Sequence, residues 1–303
     1  MGNGEHASAI VVTFHPCAQD LRNIAAIRAQ VDLLIVVDNG SSLDDLAQMR
    51  LSSQRSGFVL IENGENLGVA AALNLGVQEA LKQGCQWITL FDQDSAITDG
   101  FIASMIEEFQ ACRQKKPIMQ MIPRYRDPKT GLEESISAFG DGGAFLTITS
   151  GSLFSREAFA RCGLFREDLF VYGVDDDYSL RIRRNGFFIG VSRNAVLLHQ
   201  SGHPTSRKLF GKTLTTKNYR PESRYYYARN KVWILRTHGK TFPRLIIPTL
   251  REFVTIPIKI MLMEEAPGRK IELFVRGLLD GVVGRMGRLD NIRRPLKGSY
   301  SGQ

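Results

Sequence analysis

Cysteine is sparse. Cys17, Cys85, Cys112 and Cys162 lie far apart, with no C-x-x-C pair. This spacing argues against a disulfide framework or a cysteine zinc site, and reduced thiols in a cytosolic setting fit best. The opening MGNGEHASAIVV lacks the basic start and long apolar core of a signal peptide, and it has no Ser or Thr where an N-myristoylation pattern needs one. No long apolar run is free of charge. Leu245–Met263 comes nearest, but it holds Arg251, Glu252, Lys259 and two prolines, and central charges are costly in a bilayer. At 43% apolar and 23% charged residues, the composition excludes global disorder, collagen and a multi-span membrane protein. The 303 residues suit one large domain, or one domain with an appendage.

The net charge of +8 hides an asymmetry. Residues 201–303 carry 21 Lys and Arg against 7 Asp and Glu, whereas residues 1–200 carry 18 against 24. A tail of net +14 suits an anionic membrane, nucleic acid or a phosphate-rich ligand, or is simply a solvated basic surface. No zinc finger or RNP motif supports sequence-specific nucleic-acid binding. In Leu245–Met263, apolar Ile246, Ile247, Phe253 and Ile258 interleave with basic residues. That pattern fits a helix in the plane of a membrane surface or one packed on the first domain.

Short β-branched runs at Ala9–Phe14, Leu33–Asp38, Phe58–Glu62 and Trp87–Phe91 alternate with helical stretches. This rhythm predicts an α/β domain with a mostly parallel central sheet. After Pro117 the rhythm breaks. Pro123–Glu133 reads as a loop, Ser135–Phe139 and Ala144–Thr149 as short strands, and Asp175–Asn185 as a helix. Phe187–Val191 and Ala195–His199 read as two strands, Thr205–Arg220 as a loop, and Pro221–His238 as a helix. The expected organisation is a catalytic domain over residues 1–240 and a basic, amphipathic helical region over 241–303, broken at its prolines.

In an open parallel sheet, ligands bind beyond the carboxyl ends of the strands. Thr13, Phe14, Asp38, Asp92 and Asp94 stand at such ends. Asp38 opens D-N-G-S, which is also a good turn sequence. Asp92 and Asp94, one residue apart, are able to hold a hard divalent cation directly or through water; the competing reading is a surface turn. Asp175, Asp176 and Asp177 open a helix, where carboxylates are favourable as caps, and Asp177 is placed to pair with Arg181 at i,i+4. Thr149-Ser150-Gly151 precedes a helix and has a capping reading of its own.

VVTFHP, VVDNGS, ENLGVAAALNLG, FDQDS, TSGSLFSREAF, LFVYGVDDDYSLRI and LLHQSG occur in that order. Over about residues 8–240 the chain resembles the inverting family 2 glycosyltransferases of GT-A fold, and within them the bacterial L-rhamnosyltransferases that use dTDP-L-rhamnose. The resemblance implies that Thr13 and Phe14 flank the base and Asp38 hydrogen-bonds the nucleoside. Asn66, Gly68 and Asn74 would line the donor site, with Ser150 and Gly151 between donor and acceptor. Asp92 and Asp94 match the D-x-D motif, Asp94 and His199 being implied metal ligands for Mg²⁺ or Mn²⁺. Asp175 matches the general base, although Val174 stands where the family often has Glu. Arg229, in Y-Y-x-x-R-N, is implied to meet the diphosphate.

The implied activity is transfer of L-rhamnose from dTDP-L-rhamnose to a saccharide or lipid-linked acceptor in bacterial cell-surface glycan synthesis. The enzyme would be cytoplasmic or peripheral on the inner face of the membrane, with no nucleic-acid partner. One rival is a glycosyltransferase of another donor. A nucleotidyltransferase would want a basic, Gly-rich loop near the first strand, and VVTFHPCAQD has neither Gly nor Lys. The non-enzymatic rival is a basic module on nucleic acid or anionic lipid.

Overall fold

The computed structural model describes residues 6–128, 130–198, 205–209, 212–216 and 218–290. The chain divides into two compact units, one of residues 1–166 with 174–201 and the other of 167–173 with 202–303.

The first unit starts with the expected alternation. Strand β1 (Ala7–Thr13) leads to helix α1 (Ala18–Arg28), then β2 (Leu33–Asp38), α2 (Leu43–Ser56), β3 (Val59–Glu62), α3 (Val69–Lys82) and β4 (Trp87–Asp92). The runs of β1, β2 and β4 lie inside the sheet with both faces covered: Ile10, Val11, Leu34, Ile35, Val36 and Leu90 are all fully buried, whereas β3 is a partly exposed edge strand. Caps fix the helix starts. Asp20, in the first turn of α1, accepts the Cys17 amide, and the Ser42 hydroxyl caps α2 by accepting the Asp45 amide.

After β4 come β5 (Ala96–Ile97), α4 (Phe101–Arg113), β6 (Ile118–Arg126), β7 (Leu153–Ser155), α5 (Arg156–Cys162), α6 (Val174–Arg184) and β8 (Phe188–Leu198). The strands form one mixed sheet in the order β3-β2-β1-β4-β7-β6-β8-β5. The pairs β3–β2, β2–β1, β1–β4 and β6–β8 are parallel, while β7 is antiparallel to both β4 and β6.

Three expectations change here. Strand β6 occupies the segment expected to begin a loop at Pro123. The β6–β8 register shifts between Ile122 and Arg124, so Pro123 sits at an irregularity where its missing N–H is tolerated. The two strands expected between 187 and 199 are one, β8. Residues 135–149 form no named strand, only an isolated bridge between Ala138 and Ala144.

The second unit holds a hairpin, β9 (Thr205–Leu209) and β10 (Lys212–Thr216), where a loop was expected. Helices α7 (Pro221–His238), α8 (Ile246–Met263) and α9 (Pro267–Val283) follow. Helix α8 runs on through Pro248 and Pro257. Within the second unit, α7 packs along α9. A Cβ on Gly281 would stand 2.7 Å from the Arg229 carbonyl oxygen, so glycine there lets two backbones touch.

Candidate active site

Because β3, β2, β1 and β4 are parallel neighbours, their carboxyl ends share one edge. The register places Thr13 beside Asp38, Asp38 beside Glu62, and Val12 beside Asp92. Asp38 is fully buried at this edge. It accepts the Gly40 and Ser41 amides at 3.1 and 3.0 Å, the Ser41 hydroxyl, and the Thr13 hydroxyl at 3.4 Å. Four donors match the acceptor positions of a carboxylate. Asp38 is therefore committed to shaping the turn that follows β2.

The Asn39 side-chain oxygen accepts from Asn63 Nδ2 at 3.1 Å and from the Leu67 amide at 3.0 Å, while its Nδ2 donates to Asn66 Oδ1 at 3.2 Å. Asn66 Oδ1 also accepts the Gly68 amide at 2.9 Å. Gly68 has φ 88 and ψ 157 at the N-cap of α3, a conformation open essentially to glycine. Gly40, at φ +92, lies so close that a Cβ would stand 2.6 Å from the Glu65 carbonyl carbon. The loops after β2 and β3 are thus locked together below the entrance to α3.

At the end of β1, Phe14 is 43% exposed and packs edge-on against His15, with ring centroids 4.3 Å apart. An exposed aromatic at this edge offers a stacking face. Gln93 is the link that sequence reasoning missed. Its Oε1 accepts the Phe14 amide at 2.7 Å and its Nε2 donates to Asp20 at 3.0 Å. No local pattern announced it: Gln93 is a half-buried turn residue just after β4, between the exposed Asp92 and Asp94.

Ser150 is buried beside this strand end. Its hydroxyl accepts the Asp92 amide at 3.3 Å and meets the Ser95 hydroxyl at 2.7 Å. The Gly151 amide donates to the Leu90 carbonyl at 2.7 Å. Thr149, just before them, donates its hydroxyl to Asp175 Oδ1 at 3.0 Å. Burial pushes the Asp175 carboxyl up to about 7; the negative charges of Asp92 and Asp176 add to this, and the Thr149 hydroxyl opposes it. The three acids at the start of α6 thus have separate fates. Asp175 reaches the Thr149–Asp92 corner. Asp176 lines a cavity of about 230 Å³ together with Ile122, Glu134, Ser135, Ser137 and Thr147. Asp177 is buried and accepts from Arg181 Nε at 2.9 Å, the expected i,i+4 pair.

Two expected residues have other partners. Asn74 is buried; it donates to the Phe165 carbonyl at 2.9 Å and accepts the Phe165 amide at 2.8 Å. Those bonds tie α3 to the chain beyond α5, since the residue lies on the inward face of the helix. Arg229, on α7, is fully buried in the second unit. Its guanidinium donates to the carbonyls of Asp168, Leu169 and Gly287 and to Asn230 Oδ1. A diphosphate has no access to a guanidinium so enclosed. His199 lies outside the described residues.

Among the described residues, no three His, Cys, Asp or Glu side chains assemble into a metal cluster. The exposed carboxylates of Asp92 and Asp94 are nonetheless hard oxygen donors. Magnesium and manganese fit such a pair, since a hard cation keeps waters and takes substrate phosphate oxygens to complete its shell.

The glycosyl transferase family 2 model matches residues 8–162. The chain belongs to this family. It is 29% identical over 297 residues to the dTDP-rhamnosyl transferase RfbF of Shigella flexneri, covering 92% of this chain and 96% of the relative. It is 25% identical over 257 residues to galactofuranosyltransferase GlfT1 of Mycobacterium tuberculosis, covering 78% and 84%. Among solved structures, S. aureus TarS residues 1–349 superpose with a TM-score of 0.60 at 15% identity, covering 91% of this chain and 81% of that one. The mannosyltransferase PcManGT of Pyrobaculum calidifontis, solved with GDP-Man and Mn²⁺, gives 0.54 at 15%, covering 96% and 78%. The first unit has the GT-A fold, and the protein is a glycosyltransferase.

Proposed function

We propose that this transferase moves L-rhamnose from dTDP-L-rhamnose to an acceptor hydroxyl with inversion at the anomeric carbon. The observation that carries the chemistry is the position of Asp175: held by the Thr149 hydroxyl at 3.0 Å and within the field of Asp92 at the end of β4. The donor choice rests on the likeness to the Shigella rhamnosyl transferase along nearly the whole chain.

In this reading Phe14 stacks on the donor base, and the loops fixed by Asp38, Asn39 and Asn66 form the floor of the nucleotide site. The Gly68 backbone opens α3 toward the phosphates, where helix-start amides favour negative charge. Asp94, with Asp92 and His199, would hold Mg²⁺ or Mn²⁺, and a bound ion would offset the charge of the departing diphosphate. The cavity beside Asp176 takes the acceptor sugar. Asp175 accepts the proton of the acceptor hydroxyl as that oxygen bonds to the anomeric carbon, from the face opposite the leaving dTDP. One displacement inverts the centre. The acceptor is a saccharide, free or lipid-linked, and the site of action is the cytoplasm or the inner membrane surface.

The likeness to GlfT1 supports a second donor, a galactofuranosyl nucleotide. A nucleotide-release screen across dTDP-, UDP- and GDP-sugars, with varied acceptors, separates the two. Turnover selective for dTDP-L-rhamnose is expected, and selective use of a UDP-sugar would replace this donor assignment.

A further inference from the structure

Helix α8 carries a line of bare apolar side chains. Ile247, Leu250, Val254, Ile258 and Met261 are 78, 52, 62, 52 and 67% exposed. Their spacing of three and four residues puts them on one stripe of the helix, which is about 27 Å long at 1.5 Å per residue. On α9, Val275, Leu279, Val282 and Val283 are exposed at the same kind of spacing. A surface this apolar on consecutive helices marks a contact with something other than water.

The charges indicate what that contact is. Arg251 is exposed, and Lys259 is half-exposed. Glu252, the acid within α8, accepts from the Tyr227 hydroxyl and is half-buried. Elsewhere in the unit, Glu264 is buried between Arg224 and Lys270, and Asp280 is buried against Tyr225, Arg276 and Arg285. Glu222, Glu265, Glu272 and Asp290 are exposed, but Lys240, Arg244 and Arg251 stand exposed just before and within α8, in a region of net +14. A second copy would bring the same positive charge to the contact. An anionic bilayer brings the opposite charge and an apolar interior. Among the described residues no helix is long and apolar enough to cross a membrane, which leaves the in-plane position. We propose that the stripe of α8, with Arg251 at its edge and Lys259 on the adjoining face, seats the protein on an anionic lipid surface with the helix lying in the headgroup region. This does not depend on the donor or on the catalytic base.

The test is co-sedimentation of the full chain with vesicles of phosphatidylcholine alone and of phosphatidylcholine with one-third phosphatidylglycerol. The anionic vesicles should bind about tenfold more protein or better, and high salt should reduce this several-fold. Val254→Asp with Ile258→Asp alters two exposed side chains; the helical circular dichroism should persist while vesicle binding falls about tenfold. Arg251→Glu with Lys259→Glu should abolish the salt-sensitive part, and decides the matter if the first pair fails to fold. Equal, negligible binding to both vesicles overturns the proposal, as does binding that neither pair alters. Light scattering that shows a dimer, lost in Val254→Asp, with no vesicle binding would assign the stripe to a second copy and overturn it too.

Discussion

The Thr149 hydroxyl donates to Asp175 at 3.0 Å, joining the segment before β7 to the first turn of α6. Burial and two neighbouring acids raise the Asp175 pKa to about 7, and hydrogen bonds from the Thr149 hydroxyl and backbone oppose the rise. A base must be ionised, so turnover should climb with pH through about 7. Thr149→Val keeps the shape and removes the donor, so the rising limb should shift to higher pH. Rate–pH profiles of the two proteins check this; coincident limbs would remove the coupling.

Stability should run the other way. A carboxyl with a raised native pKa binds its proton more tightly folded than unfolded, so between the ordinary value of 3.8 and about 7 the folded state loses stability as pH rises. Asp175→Asn should flatten that slope in thermal melts across the window. The same variant should lower kcat by about a hundredfold to ten-thousandfold while donor affinity changes little. An active Asp175→Asn enzyme would mean that the base is elsewhere.

Asp94 is exposed at its turn, so Asp94→Ala should leave the fold intact. Metal-dependent turnover should fall on the order of a hundredfold, the scale of losing an electrostatic stabiliser. EDTA should do the same to the parent enzyme, with Mn²⁺ restoring it. Full turnover in EDTA would sink the metal assignment.

Arg229→Met should act on stability rather than on the donor. It strips hydrogen bonds from the Asp168, Leu169 and Gly287 carbonyls, a loss on the order of 3 kcal/mol for bonds from a charged donor. Urea unfolding measures it. An unchanged midpoint with donor binding lost would return Arg229 to the diphosphate.

Gly40→Ala should cost about 1–3 kcal/mol, because a side chain would be forced into left-handed φ against the Glu65 backbone. Since the two loops it separates form the proposed nucleotide floor, nucleotide affinity should fall in parallel. Calorimetric titration with dTDP, beside a melt, reads both.

The first half of the fold was legible because a run such as LLIVV buries both faces of a parallel strand and stops at a polar turn. The positions of Asp38, Asp92 and Asp94 followed from those stops. What stayed hidden depends on contacts across the chain. Nothing near Asn74 announces Phe165, which lies 91 residues on, nor does the Y-Y-x-x-R-N pattern reveal that Arg229 is enclosed by carbonyls from two distant loops. Pro123 read as a loop signal since its tolerance depends on a register shift against β8. The prolines of α8 also misled: Pro248 falls in the first turn, where proline is tolerated, and the helix continues through Pro257. The division of labour among Asp175, Asp176 and Asp177 needed the helix geometry, which turns each acid about 100° from the last.

Strand β7 is three residues long, yet it lies between β4 and β6 and pairs with both. The parallel set on one side, β3-β2-β1-β4, draws on crossovers nearby in sequence. On the other side β6 and β8 are joined by a connection of more than sixty residues. Because long loop closure costs entropy before its contacts form, such a sheet is expected to assemble in pieces, the local set first and the long closure after it, with β7 as the seam. In hydrogen exchange the amides that bind across this seam should open as a cooperative unit separate from β1 and β2. Because Ser150 and Thr149 lie just ahead of β7, the corner that holds Asp175 would be among the last parts of the first unit to form.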